Sequence, residues 1–168
     1  GSISAIIAKC SQRGILIKEI SPQKLDYYCG GANHQGVAVM FATQEYSTVE
    51  DILKCAEERN EKPFIIICDE IEDPHNLGAI IRSAEACGVH GIIIPKRRSA
   101  SLNATVAKSA SGALEYMKVA RVTNIPNTID DLKKKGIWVF GADMDGTDYT
   151  KTDFDTPCAI VIGNEGNG

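Results

Sequence analysis

The chain has 168 residues, 43% of them apolar, and a formal net charge of −4. With no long apolar run and no visible signal peptide, it excludes a transmembrane helix and predicts a soluble globular chain with core enough for one α/β domain and a small appendage. The acidic balance argues against a general nucleic-acid binder, although local patches count for more than the sum.

In chain order, the pattern predicts a helix over residues 3–12, a strand over 15–20, a helix starting at Ser21-Pro22 and a strand over 37–41. His34-Gln35-Gly36 precedes that strand, and a His beside a Gly reads as a turn residue whose ring hydrogen-bonds locally. Ser47 and Glu50 have capping-box spacing and open a helix to about residue 60. The chain therefore divides into residues 1–46, a linking helix over 47–62 and a larger domain over 63–168. Residues 1–46 carry four basic against three acidic side chains, leaving 14 against 19 for the remainder, so the first segment is the less acidic part.

Phe64 to Cys68 is a continuous apolar run, which suits a parallel strand covered on both faces. Asp73, Pro74 and Asn76 then offer helix-start chemistry, with Asn76 the expected N-cap. Leu77, Ile80, Ile81 and Ala84 fall on one buried helical face, whereas Arg82 falls off that stripe and is free to face a cleft. Gly78, one turn earlier, is expected to leave room there for an approaching ligand. On pattern alone Arg82 is either a solvated residue pairing with Glu85 or a site residue. Gly88 stops the helix, and the strand 91–94 follows.

Further apolar strands near 118–123, 137–141 and 158–162 alternate with helical segments, so the fold class is α/β, a parallel sheet with helices on both faces. Lys96-Arg97-Arg98 follows a strand's carboxyl end and Lys108 lies on the next helix, as either a phosphate-contacting rim or a solvated loop. Lys133-Lys134-Lys135 precedes Gly136 and complements a helix dipole. Cys10, Cys29, Cys55, Cys68, Cys87 and Cys158 form no C-x-x-C pair and read as buried free thiols in a reducing cytosol. Asp143 and Asp145 lack the further carboxylates a calcium loop needs, so no metal site is expected. Gly163 to Gly168 is a glycine-rich run after a strand, either a plain turn or a loop approaching a ligand. Its spacing is not G-x-G-x-x-G, which disfavours a dinucleotide enzyme.

Three strings in order carry a more specific signal: N-L-G-A-I-I-R-S-A from Asn76 to Ala84, Ser101 to Leu114, and A-I-V-I-G-N-E-G-N-G from Ala159 to Gly168. Together they resemble the SpoU (TrmH) family of the SPOUT superfamily, RNA 2′-O-ribose methyltransferases with a knotted α/β fold. The resemblance implies S-adenosylmethionine as cofactor, with Gly141, Ala142, Ile162, Gly163, Asn164, Gly166 and Gly168 around it. It implies catalytic roles for Arg82 and Asn76, with Glu165 as acidic partner of Arg82. It places RNA against His34, Gln35, Lys96, Arg97, Arg98 and Lys108, the H-Q-G string also being common in the family. Residues 1–46 are similar to the latter part of the family's small substrate-binding domain, and the third, knot-completing motif is not in the chain.

The implied activity is 2′-O-methylation of a guanosine in 23S ribosomal RNA by a cytoplasmic homodimer. A transfer-RNA methyltransferase, a non-enzymatic RNA-binding homologue and an unrelated nucleotide-binding enzyme are the alternatives. Such a reaction needs alignment of a poor nucleophile and a place for its proton, and no metal.

Overall fold

A computed structural model describes residues 3–39 and 45–164. The chain divides into one unit over residues 1–42 and another over 43–168. In the first, α1 (Ile3–Gln12) and α2 (Pro22–Tyr28) bury no residue, so local chemistry defines them. Gly14, at φ +66°, turns the chain out of α1 while the Ile15 amide reaches back to the Cys10 carbonyl at 3.0 Å. Ser21 caps α2, with Pro22 at its first position. The strand expected over 15–20 does not form: that stretch is irregular, and no strand among the described residues pairs with it. Val37 to Val39 is irregular too, while Met40 and Phe41 lie outside the described residues.

The second unit holds α3 (Val49–Glu58), β1 (Phe64–Cys68), α4 (Pro74–Ala86), β2 (Gly91–Pro95), α5 (Ala104–Ser109), β3 (Lys118–Val122), α6 (Ile125–Lys134), β4 (Trp138–Gly141) and β5 (Cys158–Ile162). The capping box of α3 is Thr48 with Asp51, one residue beyond the expected Ser47 and Glu50. Ser47 is engaged elsewhere, since its amide donates to the Val119 carbonyl at 2.8 Å and it bridges to Ala120 beside β3. The Thr48 amide and hydroxyl donate to the Asp51 carboxylate at 2.8 and 2.7 Å, and those bonds lower its pKa below the usual carboxylate value.

The five strands run parallel in the order β3-β2-β1-β5-β4. From β1 the chain steps outward through β2 to β3, crosses to β4 at the far edge and returns in β5 beside β1. The order therefore reverses between β1 and β5. Alternate residues of the isoleucine-rich strands feed two cores, Ile66, Ile92 and Ile94 with α4 and α5, and Ile65, Ile67 and Ile93 with α3 and α6. Burial of Ile52 and Ala56 makes α3 part of the second core. Of the cysteines, Cys68 and Cys158 are buried, whereas Cys87 at the end of α4 is exposed and Cys10, Cys29 and Cys55 are half-buried, so burial is narrower than the sequence suggests.

Candidate functional site

The site lies where β1 and β5 end. After Cys68 the Asp69 amide still donates to the Ile162 carbonyl at 2.9 Å, and then Glu70, at φ +55°, turns the chain away from the sheet. Ile71 is buried and its carbonyl accepts the Ala100 amide at 2.8 Å, which ties this turn to the loop after β2. Asp73 rather than Asn76 caps α4, accepting the His75 amide at 2.8 Å. Pro74 explains the shift: its fixed φ and missing N–H suit the first helical position, leaving Asn76 exposed in the first turn.

These elements enclose a depression of about 540 Å3. The β1–α4 turn contributes Glu70, Ile71, Glu72 and Asp73; α4 adds Asn76, Ala79 and Ile80; the end of β5 adds Ile162, Gly163 and Asn164. Four of the expected site residues, Asn76, Ile162, Gly163 and Asn164, thus meet in one place. Gly141 and Ala142 stand at the neighbouring strand end, where Gly141 is level with Val161 and the Ala142 amide donates to the Val161 carbonyl at 3.0 Å, but they do not line the depression. Glu165, Gly166 and Gly168 lie outside the described residues.

Arg82 is exposed and does not line the depression; it lies on the flank of α4 that also carries His75 and Gly78. Among the described residues it forms no ion pair, with Glu85 or otherwise. Gly78 does not leave room for a ligand. It is buried, and a Cβ there would stand 2.4 Å from the Ser109 Cβ and 2.9 Å from the Val106 carbonyl oxygen. Its bareness lets α5 close on α4, a contact that His75 Nδ1 and the Ser109 hydroxyl continue at 3.1 Å.

The basic residues divide. Lys96, Arg97, Arg98 and Lys108 are all exposed, but Arg98, at φ +54°, reaches Glu70 with a 2.7 Å hydrogen bond that raises its pKa further. Arg121, which sequence reasoning passed over, lies 4.7 Å from the Tyr46 ring centroid and donates to the Lys96 carbonyl at 3.0 Å. Nothing along the chain links positions 46, 96 and 121. In the first unit, His34 Nδ1 accepts the Gly36 amide at 2.9 Å and its Nε2 meets Asp26 Oδ1 at 2.9 Å, the local turn role expected of it, while Gln35 is exposed at φ +50°.

Burial pushes the Cys68 thiol up to about 12, so this cysteine at the end of β1 stays protonated and is no nucleophile. Among the described residues no three His, Cys, Asp or Glu side chains gather to hold a metal ion, and Asp143 instead accepts the Asp145 amide at 3.0 Å within its own turn.

Residues 63–168 match the profile of the SpoU rRNA methylase family, and residues 1–47 match that of an RNA 2′-O ribose methyltransferase substrate-binding domain. A Bacillus subtilis protein described under the TrmH family of tRNA/rRNA methyltransferases, YacO, is 47% identical over 169 residues that span all of this chain and 68% of the relative. A Staphylococcus aureus protein with the same family description is 45% identical, across 99% of this chain and 67% of its own. Among solved structures, an AdoMet-bound rRNA methyltransferase from Sinorhizobium meliloti superposes with a TM-score of 0.74 at 27% identity, covering 99% of this chain and 62% of that one. The SpoU methyltransferase AviRb from Streptomyces viridochromogenes, in complex with AdoMet, gives a TM-score of 0.59 at 30% identity over 64% of this chain and 45% of that one.

Proposed function

The chain belongs to the SpoU rRNA methylase family of S-adenosylmethionine-dependent RNA methyltransferases, and we propose from that premise that it methylates a ribose 2′-hydroxyl of RNA. A guanosine of 23S ribosomal RNA is the target we favour, with a transfer-RNA ribose as the alternative, and a cytoplasmic homodimer is the working form. Among the described residues no helix is long and apolar enough to cross a membrane. The observation that carries the reading is the depression at the β1–β5 reversal, because it joins Asn76, Ala79 and Ile80 of one family-like string to Ile162, Gly163 and Asn164 of the other. Ligands of open parallel sheets bind outside the strands' carboxyl ends at such a reversal.

The residues present fit the cofactor. A volume of about 540 Å3 falls within the range of roughly 300 to 1,000 Å3 common for small-molecule sites. Ile71, Ile80 and Ile162 offer apolar surface to a planar base, and Glu72 and Asp73 offer carboxylates to a cationic ligand, the Glu70 carboxylate being held by Arg98. When bound, the cofactor supplies a methyl group on a positively charged sulfur that is already a good leaving group. Gly163 and Asn164 would hold it from the β5 side, and Gly141 and Ala142, at the neighbouring strand end, are assigned to it on the family resemblance, as are Gly166 and Gly168, which lie outside the described residues.

Arg82 is the group we assign to the ribose oxygen. Its guanidinium has no carboxylate partner among the described residues, so its donors are available to an oxygen on which negative charge develops and to an adjacent phosphate. It stays charged in nearly any setting and is a poor base, so the proton passes to water or to the RNA phosphate. Asn76, exposed at the start of α4, is assigned to the ribose, and Glu165, outside the described residues, is assigned as acidic partner of Arg82 on the family resemblance alone. His34, Gln35, Lys96, Arg97, Arg98 and Lys108 are assigned to RNA contact.

The test is methyl transfer from labelled S-adenosylmethionine to ribosomal RNA, with cofactor affinity measured in parallel by calorimetry. Arg82→Ala is expected to lower transfer by about 100-fold, the usual effect of removing a donor that acts on the transition state, with cofactor affinity unchanged. Transfer within a few-fold of the unaltered protein would remove Arg82 from the mechanism. Cofactor binding without any transfer would favour the non-enzymatic RNA-binding reading.

A further inference from the structure

A second cationic centre stands along the same edge of the sheet, on its β3 side. Tyr46 precedes α3, and its hydroxyl accepts the Leu102 amide at 2.9 Å, which fixes the half-buried ring against the loop after β2. The Arg121 guanidinium lies over that ring, 4.7 Å from its centroid, and donates through Nη2 to the Lys96 carbonyl at 3.0 Å. The register sets Arg121 level with Ile94, and the Lys96 amide closes the same corner by donating to the Val122 carbonyl at 2.8 Å. From this corner the side chains of Lys96 and Arg97 emerge exposed.

The arrangement orders a charge without neutralising it. An aromatic face and one carbonyl hold the guanidinium plane, so little side-chain freedom remains to be lost when a ligand binds. Among the described residues its other N–H donors meet no acceptor and no carboxylate pairs with it. Arg98, two residues from Lys96, differs in being held by Glu70 at 2.7 Å. A planar fork of donors beside two exposed cations suits a phosphodiester, whose two non-bridging oxygens share one negative charge and match the fork in spacing.

The geometry points to Arg121, seated on Tyr46 and flanked by Lys96 and Arg97, as a preset clamp for an RNA backbone phosphate at the β2–β3 corner. The inference rests on the reading of the chain as an RNA methyltransferase, and it makes Arg121 rather than Arg98 the stronger phosphate anchor. A single-stranded segment gripped here lies along the edge of the sheet that also carries the β1–β5 depression, so the clamp orients the strand and leaves its bases unread.

The experiment is fluorescence anisotropy of a short labelled single-stranded RNA of mixed sequence, titrated with the full chain across a series of KCl concentrations. Arg121→Gln is expected to weaken binding about fivefold to tenfold and to flatten the plot of log affinity against log salt by about 0.7, one phosphate's share on a single strand. Arg121→Lys keeps the charge and loses the fork, so it weakens binding while retaining the slope. Lys134→Gln, the same loss of charge at the far end of α6, leaves both quantities as they are, and melting curves establish that each variant is folded. A folded Arg121→Gln protein with unaltered affinity and slope overturns the clamp and leaves the function standing. An unaltered protein whose RNA binding shows no salt dependence overturns the function reading and the clamp together.

Discussion

The two ends of the parallel sheet are built differently. At the amino end, direct bonds tie neighbouring segments: Lys62 meets Asp155 at 2.7 Å, the buried His90 meets Glu61 at 2.9 Å, and His90 Nδ1 accepts the Phe64 amide at 3.0 Å. At the carboxyl end, the chain leaves β1 and β2 through Glu70 and Arg98, two non-glycine residues at φ +55° and +54° whose side chains pair with each other. Left-handed backbone at such residues costs on the order of 1 kcal/mol apiece and collects where structure serves a ligand. One end closes the sheet, and the other holds its depression and its exposed cations.

The sharpest challenge to that division is Gly78, which belongs to the carboxyl end but behaves as core. Gly78→Leu is expected to cost about 3 kcal/mol or more, because the side chain would meet α5 backbone as well as Ser109. A urea midpoint close to that of the unaltered protein would mean that α5 moves aside freely and that the packing there is loose. At the amino end, His90→Ala strips the Phe64 amide of its acceptor and is expected to cost about 2 kcal/mol while leaving cofactor affinity unchanged. Weakened cofactor binding in the folded variant would show that the ends are coupled.

Smaller effects sharpen the same contrast. Glu70→Gln releases Arg98, and because that guanidinium is exposed and Glu70 only half-buried, the loss of the pair is expected to move the melting temperature little. RNA affinity is expected to rise about two- or threefold as the freed cation joins Lys96 and Arg97; an unchanged affinity would assign Arg98 to the loop alone. The smallest effect is at Lys62. Its ammonium lowers the Asp155 pKa below 3.8, so this pair's contribution is fully present above that value and is lost as pH falls through the depressed one. Lys62→Ala therefore removes part of the acid sensitivity of the melting temperature and leaves the neutral-pH site untouched.

Most of the second unit was legible along the chain. The runs FIIIC, GIIIP and CAIVI are apolar without alternation, as strands covered on both faces must be, and each forms a strand within a residue of its expected bounds. The helix bearing Arg82 was legible too, because Leu77, Ile81 and Ala84 repeat at helical spacing and all are buried. The first unit was less so. Ile15 to Ile20 has strand-like composition, but a strand exists only where a neighbour takes its hydrogen bonds, and none does among the described residues. The caps missed by small margins for identifiable reasons: Pro74 moved one from Asn76 to Asp73, and the β3 edge claimed Ser47 before α3 could.

Sequence by itself determined the fold class, the helical placement of Arg82 off the buried stripe, and the family, since those depend on local periodicity and on strings of adjacent residues. Only the tertiary structure decided what Gly78 is for, which arginine is already paired, and that Tyr46, Lys96 and Arg121 form one corner. The physical reason is distance along the chain. A contact between residues dozens of positions apart depends on sheet order and register, and neither has a signature in the spacing of the residues that meet.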